Sequence, residues 1–335
     1  MSRKPFGELT ELGQARRLRP LAEAALRAYD LEPTGLRLIS NGWNCVFRID
    51  TPAGRRVIRI TRPVPGADDR SVRSEVEFMS ALAANTDVAV PAVIHNHAGE
   101  LVTVAEAEGV PEPRECVVFG WLGGPDLAAR RSATSWARLG ELMATMHRFA
   151  EDWTPTASFS VAHYDSCLPY GEKLVVFEPG RVDLDGLEGI LRDAVDVTDE
   201  RIAALDREVP PIVLHGDLHQ WNVKIRRGVL SPFDFEDLLT GAPILDVATS
   251  LYYVRHDDDY AELARAFKAG YERRRPWVER QPGEMERLMF ARSIDLLNAV
   301  LLDPSLELGG EMNAFVRRRE GQALVALGRQ PAVEL

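Results

Sequence analysis

A change of texture about a third of the way along constrains this chain more than any other feature of its sequence. Up to residue 119 the apolar residues come in short runs. Residues 36–39, 45–49 and 56–60 are rich in β-branched or aromatic side chains, and Asn41-Gly42 and Pro52-Ala53-Gly54 separate them. Short apolar runs divided by turn signals predict a three-stranded meander. Residues 101–105 and 116–119 add two more strands. Helical spacing intrudes twice: Leu9, Leu12, Leu18, Leu21, Ala25 and Leu26 open the chain, and Val72, Val76, Met79 and Leu82 follow the third strand. Then comes Gly120-Trp121-Leu122-Gly123-Gly124-Pro125, a Gly/Pro-rich break directly after an apolar strand. Beyond it the pattern is mostly helical, near 135–149, 184–194, 244–253, 260–271, 284–302 and 312–327. Short extended pieces stand at 212–214, 223–225 and 229–233. The expectation is an α+β chain in two lobes: 1–119 with an antiparallel sheet and a leading helix, a hinge at 120–125, and a helical 126–335.

At 335 residues, 45% hydrophobic and 27% charged, the chain has ample apolar side chain for one large bilobal domain. Forty basic against fifty-one acidic residues give a formal net charge of −11. That balance argues against a nucleic-acid or anionic-membrane surface and suits a cationic substrate. Three scattered cysteines, Cys45, Cys116 and Cys167, make neither a disulfide framework nor a zinc site. No apolar run approaches the roughly 18 residues of a spanning helix, and no apolar signal core opens the chain, so a reduced, cytoplasmic setting is expected. No Gly-x-Ser-x-Gly or His-Glu-x-x-His element points to serine-hydrolase or zinc-protease chemistry.

The stretch that carries chemistry is Ile212-Val213-Leu214-His215-Gly216-Asp217-Leu218-His219-Gln220-Trp221-Asn222, followed by Phe233-Asp234-Phe235-Glu236-Asp237. Two acids and an amide, each at the end of a short strand, are placed to converge. Phosphoryl transfer needs such a set, because the protein mainly positions reactants and neutralises charge. One Asp can take or orient the acceptor hydroxyl's proton. An Asn five positions later and a second Asp can hold Mg²⁺, which accepts few protein oxygens.

The run HGDLHQWN followed by DFED resembles the aminoglycoside phosphotransferase and choline kinase superfamily, relatives of the protein kinases. The resemblance implies a protein-kinase-like fold and transfer of the γ-phosphoryl group of ATP or GTP, with Mg²⁺, to a hydroxyl. It implies Asp217 as catalytic residue, Asn222 and Asp234 on the metal, and His215, Glu236 and Asp246 in supporting roles. His215 is read as fixing the loop by hydrogen bonding; His219 either faces the acceptor or solvates the loop. On the nucleotide side, Asn41 and Gly42 lie in the phosphate-covering turn, and Phe119, Gly120, Trp121 and Leu122 in the hinge that meets the base. Arg59 stands where the family usually carries Lys. Glu75 is its expected counter-ion, with Glu77 as the competing choice. Asp257-Asp258-Asp259 reads as a helix N-terminus rather than a metal cluster. Arg273–Arg275 and Arg317–Arg319 read as solvated helix faces. Acceptors in the superfamily include antibiotics, amino-alcohols and sugars. The stress response kinase branch, which acts on protein Ser/Thr, is compatible with the length and with DFED. A nucleotide-binding pseudokinase is the remaining alternative.

Overall fold

The short apolar runs and turn signals of the first third produce a single antiparallel sheet. In the computed structural model, which describes residues 4–63, 72–302 and 312–333, its strands are β1 (Gly35–Asn41), β2 (Cys45–Thr51), β3 (Gly54–Ile60), β4 (Thr103–Ala105) and β5 (Arg114–Gly120), in the order β1-β2-β3-β5-β4. The leading helix α1 (Glu11–Leu26) starts after Thr10, whose Oγ1 accepts from Gly13 N at 3.2 Å, an N-cap that sets the boundary. Leu18, Leu21 and Ala25 of α1 belong to one buried cluster with Phe47, Ile49, Ile58, Ile60 and Val118 of the sheet. Because alternate strand residues point to opposite faces, Arg59 leaves that cluster and reaches helix α2 (Val72–Asn85) instead.

The chain divides into two compact units: residues 1–124 with 155–160, and residues 125–154 with 161–335. The second is mainly helical, with α3 (Ala133–Asp152), α4 (Glu188–Glu208), α5 (Pro243–Tyr252), α6 (Tyr260–Tyr271), α7 (Glu284–Leu302) and α8 (Met312–Ala326). Helices α3 and α6 touch backbone to backbone. A Cβ on Gly140 would stand 2.0 Å from Phe267 O, and one on Gly270 only 1.7 Å from Ala137 O, so no other residue fits either position. Among these helices lie β6 (Ala162–His163), β7 (Ile212–Leu214), the hairpin β8 (Val223–Arg226) with β9 (Val229–Pro232), and β10 (Leu239–Gly241). Strand β10 pairs antiparallel with β7 and parallel with β6.

Several expectations are corrected. The helix read near 184–194 runs instead to Glu208, because Val195, Thr198, Ile202 and Leu205 continue its buried stripe. The three-arginine run in α8 is not all solvated. Arg317 and Arg318 are exposed, but Arg319 is 2% exposed. Its Nε donates to Ser293 O at 3.2 Å and its Nη1 to Phe315 O at 2.6 Å, and burial pulls its pKa down to about 10. In the other run Arg275 is half-buried, donating to Glu151 and to the Tyr271 hydroxyl. Asp259 directly precedes α6, where it and Asp257 pair with Arg131. No helix among the described residues is long and apolar enough to cross a membrane.

Candidate active site

The core of the site is the loop that leaves β7. Its backbone turns at Gly216, with φ +81°, where a Cβ would meet Asp237 O at 2.0 Å. The turn is anchored from α5: the Asp246 carboxylate accepts His215 N at 3.1 Å on Oδ2 and Gly216 N at 3.0 Å on Oδ1. His147 of α3 adds a third contact, its Nε2 3.0 Å from Asp246 Oδ2. Burial alone would raise the pKa of Asp246, but the His147 hydrogen bond and the surrounding donors outweigh it and hold the carboxyl low.

His215 is 1% exposed, and burial pushes its pKa down, keeping the ring neutral. Its Nε2 donates to Phe233 O at 3.3 Å and its Nδ1 accepts Asp217 N at 3.4 Å. That network assigns the tautomer. With both nitrogens spent on backbone, His215 staples the loop to the strand end before Asp234.

Asp217 is held on every side. Its Oδ1 accepts Arg292 Nη2 at 2.6 Å and the Tyr253 hydroxyl at 3.1 Å. Its Oδ2 accepts Asn222 Nδ2 at 3.2 Å and lies 3.3 Å from His219 Nε2. Burial acts to raise the pKa of Asp217; Arg292, then His219, outweigh burial and hold the carboxyl below the usual range. Arg292 sits on α7, and its other arm binds Asp295 at 2.6 Å. Nothing in the sequence pattern flags Arg292 or Tyr253. His219 is turned inward: Nδ1 accepts Trp221 N at 3.2 Å, and the ring stacks edgewise on Tyr253 and Trp221.

Asn222 and Asp234 stand at the open end of the β8–β9 hairpin, where Phe233 N donates to Asn222 O at 3.0 Å. Because Asn222 Nδ2 is committed to Asp217, Oδ1 is the side-chain atom that could meet a cation. Asp234 is exposed and has φ +67°, a conformation that Asp tolerates better than most residues and that often marks functional strain. Both oxygens are hard donors of the kind Mg²⁺ takes, so this pair fits the ion that the resemblance implies. Among the described residues no three His, Cys, Asp or Glu side chains gather as a metal cluster; an amide oxygen, one carboxylate and a ligand's phosphates need none. Glu236 is half-buried two residues on, and the main-chain oxygen of Asp237 accepts the Tyr170 hydroxyl at 2.6 Å.

In the first unit, Arg59 and Glu75 are 6% and 3% exposed and form a two-pronged pair. Nη1 donates to Oε1 at 2.8 Å, and Nη2 to Oε2. The guanidinium also lies 5.5 Å from the centre of the Phe119 ring. Glu77 instead accepts Thr156 N at 2.7 Å and the Thr156 hydroxyl at 2.8 Å. Asn41 ends β1 with Nδ2 donating to Glu11 O at 2.7 Å, so its side chain ties the hairpin to α1. A phosphate at this turn would meet backbone around Gly42, where an added Cβ would find no atom within 4 Å. Phe119 and Gly120 still belong to β5: Phe119 pairs with Val57 and Val93, and Gly120 N donates to Ala92 O at 2.8 Å. Only Trp121 and Leu122 of the four expected base-binding residues lie beyond the strand.

The family model described as the phosphotransferase enzyme family matches residues 35–281, a span that includes both the Arg59–Glu75 pair and the Asp217 loop. The chain belongs to that family. An uncharacterized protein of Deinococcus radiodurans is 26% identical over 285 residues, covering 83% of this chain and 80% of its own. In fold the chain is similar to an amicoumacin kinase solved in complex with AMP-PNP, Ca²⁺ and Ami (TM-score 0.72, 15% identity, 96% of each chain). It is also similar to a microcompartment-associated aminopropanol kinase (TM-score 0.68, 21% identity, 92% of this chain and 94% of that one). A spectinomycin phosphotransferase with ADP and spectinomycin gives a TM-score of 0.60 at 11% identity over 92% and 97% of the two chains. These likenesses confirm the bilobal, protein-kinase-like α+β fold.

Proposed function

We propose that this phosphotransferase moves the γ-phosphoryl group of ATP or GTP to a hydroxyl of a small, positively charged molecule. The observation that carries the reading is the state of Asp217: a carboxylate fixed by four donors, with Asn222 turned so that its oxygen is left for a cation. Bound Mg²⁺ would be held by Asn222 and Asp234 and would neutralise charge on the phosphate oxygens. Arg59, fixed by Glu75, is the cation offered to the nucleotide phosphates.

A carboxylate with a lowered pKa is a weak base. Asp217 therefore acts chiefly by accepting the acceptor hydroxyl's hydrogen bond and aiming its oxygen, which suffices for a loose, dissociative transfer. The acceptor's charge is inferred from the acidic balance of −11 and from the aromatic cluster of His219, Trp221 and Tyr253 beside Asp217. Aromatic faces attract cations. A transfer screen with ATP and with GTP, against hydroxylated amines, sugars and antibiotics, tests the reading. Transfer to a cationic alcohol that disappears in Asp217→Asn supports it. Nucleotide binding with no transfer to any acceptor, or transfer unaffected by Asp217→Asn, overturns it.

A further inference from the structure

The chain as a whole is acidic, yet one cavity in the second unit is lined by four arginines, Arg148, Arg274, Arg275 and Arg280, and a single acid, Glu151. Its volume of about 390 Å³ is that of a small-molecule site. Trp277 walls one side, and Leu205, Val209, Pro243 and Ile244 supply apolar surface. The cations outnumber the acids that could neutralise them. Glu141 is shared between Arg273 and Arg274. Glu208 is shared between Arg201 and Arg280. Arg148 pairs with no carboxylate among the described residues; its Nη1 donates to Arg274 O at 3.3 Å. Guanidinium groups in excess over carboxylates favour phosphate or carboxylate ligands, and an indole wall favours a flat or apolar body.

A second, independent observation concerns what this cavity touches. Arg275 Nη1 donates to the Tyr271 hydroxyl at 3.2 Å, and that hydroxyl lies 2.7 Å from His147 Nδ1. His147 Nε2 meets Asp246 Oδ2 at 3.0 Å, and Asp246 accepts the amides of His215 and Gly216. An unbroken set of hydrogen bonds thus joins the cavity to the loop that carries Asp217. The packing runs the same way: Pro243 and Ile244 are the first turn of α5, which bears Asp246, and Arg148 follows His147 on α3.

We propose that this cavity binds an anionic organic molecule, a phosphate or carboxylate on a flat or apolar body, and that its occupancy is transmitted to the Asp217 loop through Arg275, Tyr271, His147 and Asp246. An anion competing for Arg275 changes what Tyr271 and His147 can give Asp246. Coupling of this kind needs only that the ligand prefer one arrangement of the relay. The importance of the loop rests on the phosphotransfer reading, but the test below reads binding and backbone opening, so it stands or fails apart from that reading.

The experiment is calorimetric titration of the full chain, without nucleotide, using phenyl phosphate, benzoate and inorganic phosphate as separate probes. Hydrogen exchange at His215 and Gly216 is followed with and without the probe that binds. Saturable one-site binding of phenyl phosphate or benzoate is expected, with inorganic phosphate weaker because it leaves Trp277 uncovered. The anion that binds tells which ligand class the site takes. The double variant Arg148→Gln/Arg280→Gln removes two exposed cations outside the relay and should weaken binding about tenfold or more. Probe binding should slow exchange at the two amides, and Tyr271→Phe should retain binding while losing that slowing. Absence of saturable binding by both aryl anions, or undiminished binding in the double variant, overturns the site. An unchanged amide response in Tyr271→Phe overturns the relay.

Discussion

Replacing Arg292 by Gln separates positioning from packing at the site. Arg292 Nη2 lies 2.6 Å from Asp217 Oδ1, and each side chain is 15% exposed, so solvent and salt screen the pair little. A charge-assisted hydrogen bond in such a place is worth about 1.5–3 kcal/mol, and one pKa unit corresponds to about 1.36 kcal/mol. Losing the guanidinium should therefore raise the Asp217 pKa, while Asn222, His219 and Tyr253 still donate. The sign is fixed by which form works. On the proposed role of Asp217 the carboxylate is the competent species, so activity is retained above its pKa and lost as pH falls through it. In Arg292→Gln the acid limb of kcat/KM should move to higher pH, whereas Arg292→Lys, which keeps a charge, should move it less. Carbon-detected NMR titration of the aspartate carboxyls reads the same shift without any acceptor. A uniformly slower enzyme with an unmoved acid limb would refute the reasoning and leave Arg292 a packing element between α7 and the loop.

The remaining predictions test the metal, the cation, the turn and the buried loop. Asp234→Asn, which keeps a side chain that tolerates the left-handed backbone, should largely preserve the melting temperature of the ligand-free protein but sharply reduce the Mg²⁺-dependent part of its rise with nucleotide; a large loss without ligand would make Asp234 structural. Arg59→Ala should cost about 2–3 kcal/mol in nucleotide affinity and turnover combined, Arg59→Lys should retain most activity, and adding Glu75→Gln to Arg59→Ala should cost less than the sum. Gly216→Ala should lower stability by well over about 1 kcal/mol, because the left-handed backbone and the Asp237 carbonyl both oppose a Cβ; a wild-type melting temperature would show that the loop can move away. His215 has a folded pKa held below the ordinary value of about 6.5, so its contribution to stability is present above that value and lost as pH falls through the folded pKa. His215→Gln should flatten the fall in melting temperature over that range, and an unchanged slope would place the acid sensitivity elsewhere.

What could be read from the sequence was local, and what could not was remote. Strands β2 and β3 announce themselves as short runs rich in β-branched or aromatic residues, set off by the turn signals Asn41-Gly42 and Pro52-Ala53-Gly54. The Asp217–Asn222 spacing is legible because both residues lie on one loop, whose geometry the sequence separation itself determines. Arg292 is 75 residues from Asp217, on a helix that no motif or spacing ties to the loop. His147 is likewise 99 residues from Asp246. Strands β6 and β10 span two and three residues, too short for any period to register. The choice between Glu75 and Glu77 was open because both occupy the same turn of α2. They point about 200° apart on a helix, and only the packed structure shows that one meets Arg59 and the other Thr156. Arg319 is hidden in a run of three arginines that looks solvated as a whole, although the helix turns this one toward Ser293 of α7.

The division between local and remote also bears on how specificity would arise. Motif residues supply the groups, but the charge state of Asp217 comes from Arg292 and His219, whose attraction outweighs a burial that acts in the opposite direction. A base made weak in this way gains little from stronger proton abstraction. Rate would then depend on how well the hydroxyl oxygen is aimed, since positioning accounts for much of what a phosphotransferase contributes. The surfaces able to aim it adjoin the carboxylate: Tyr253, which touches Asp217 directly, and Trp221, 47% exposed and edge-on to Tyr253. Discrimination among acceptors should accordingly follow the shape and charge of this aromatic cluster more closely than the acidity of the hydroxyl. Substitutions at Trp221 should reorder acceptor preference, with the acid limb set by Asp217 unmoved.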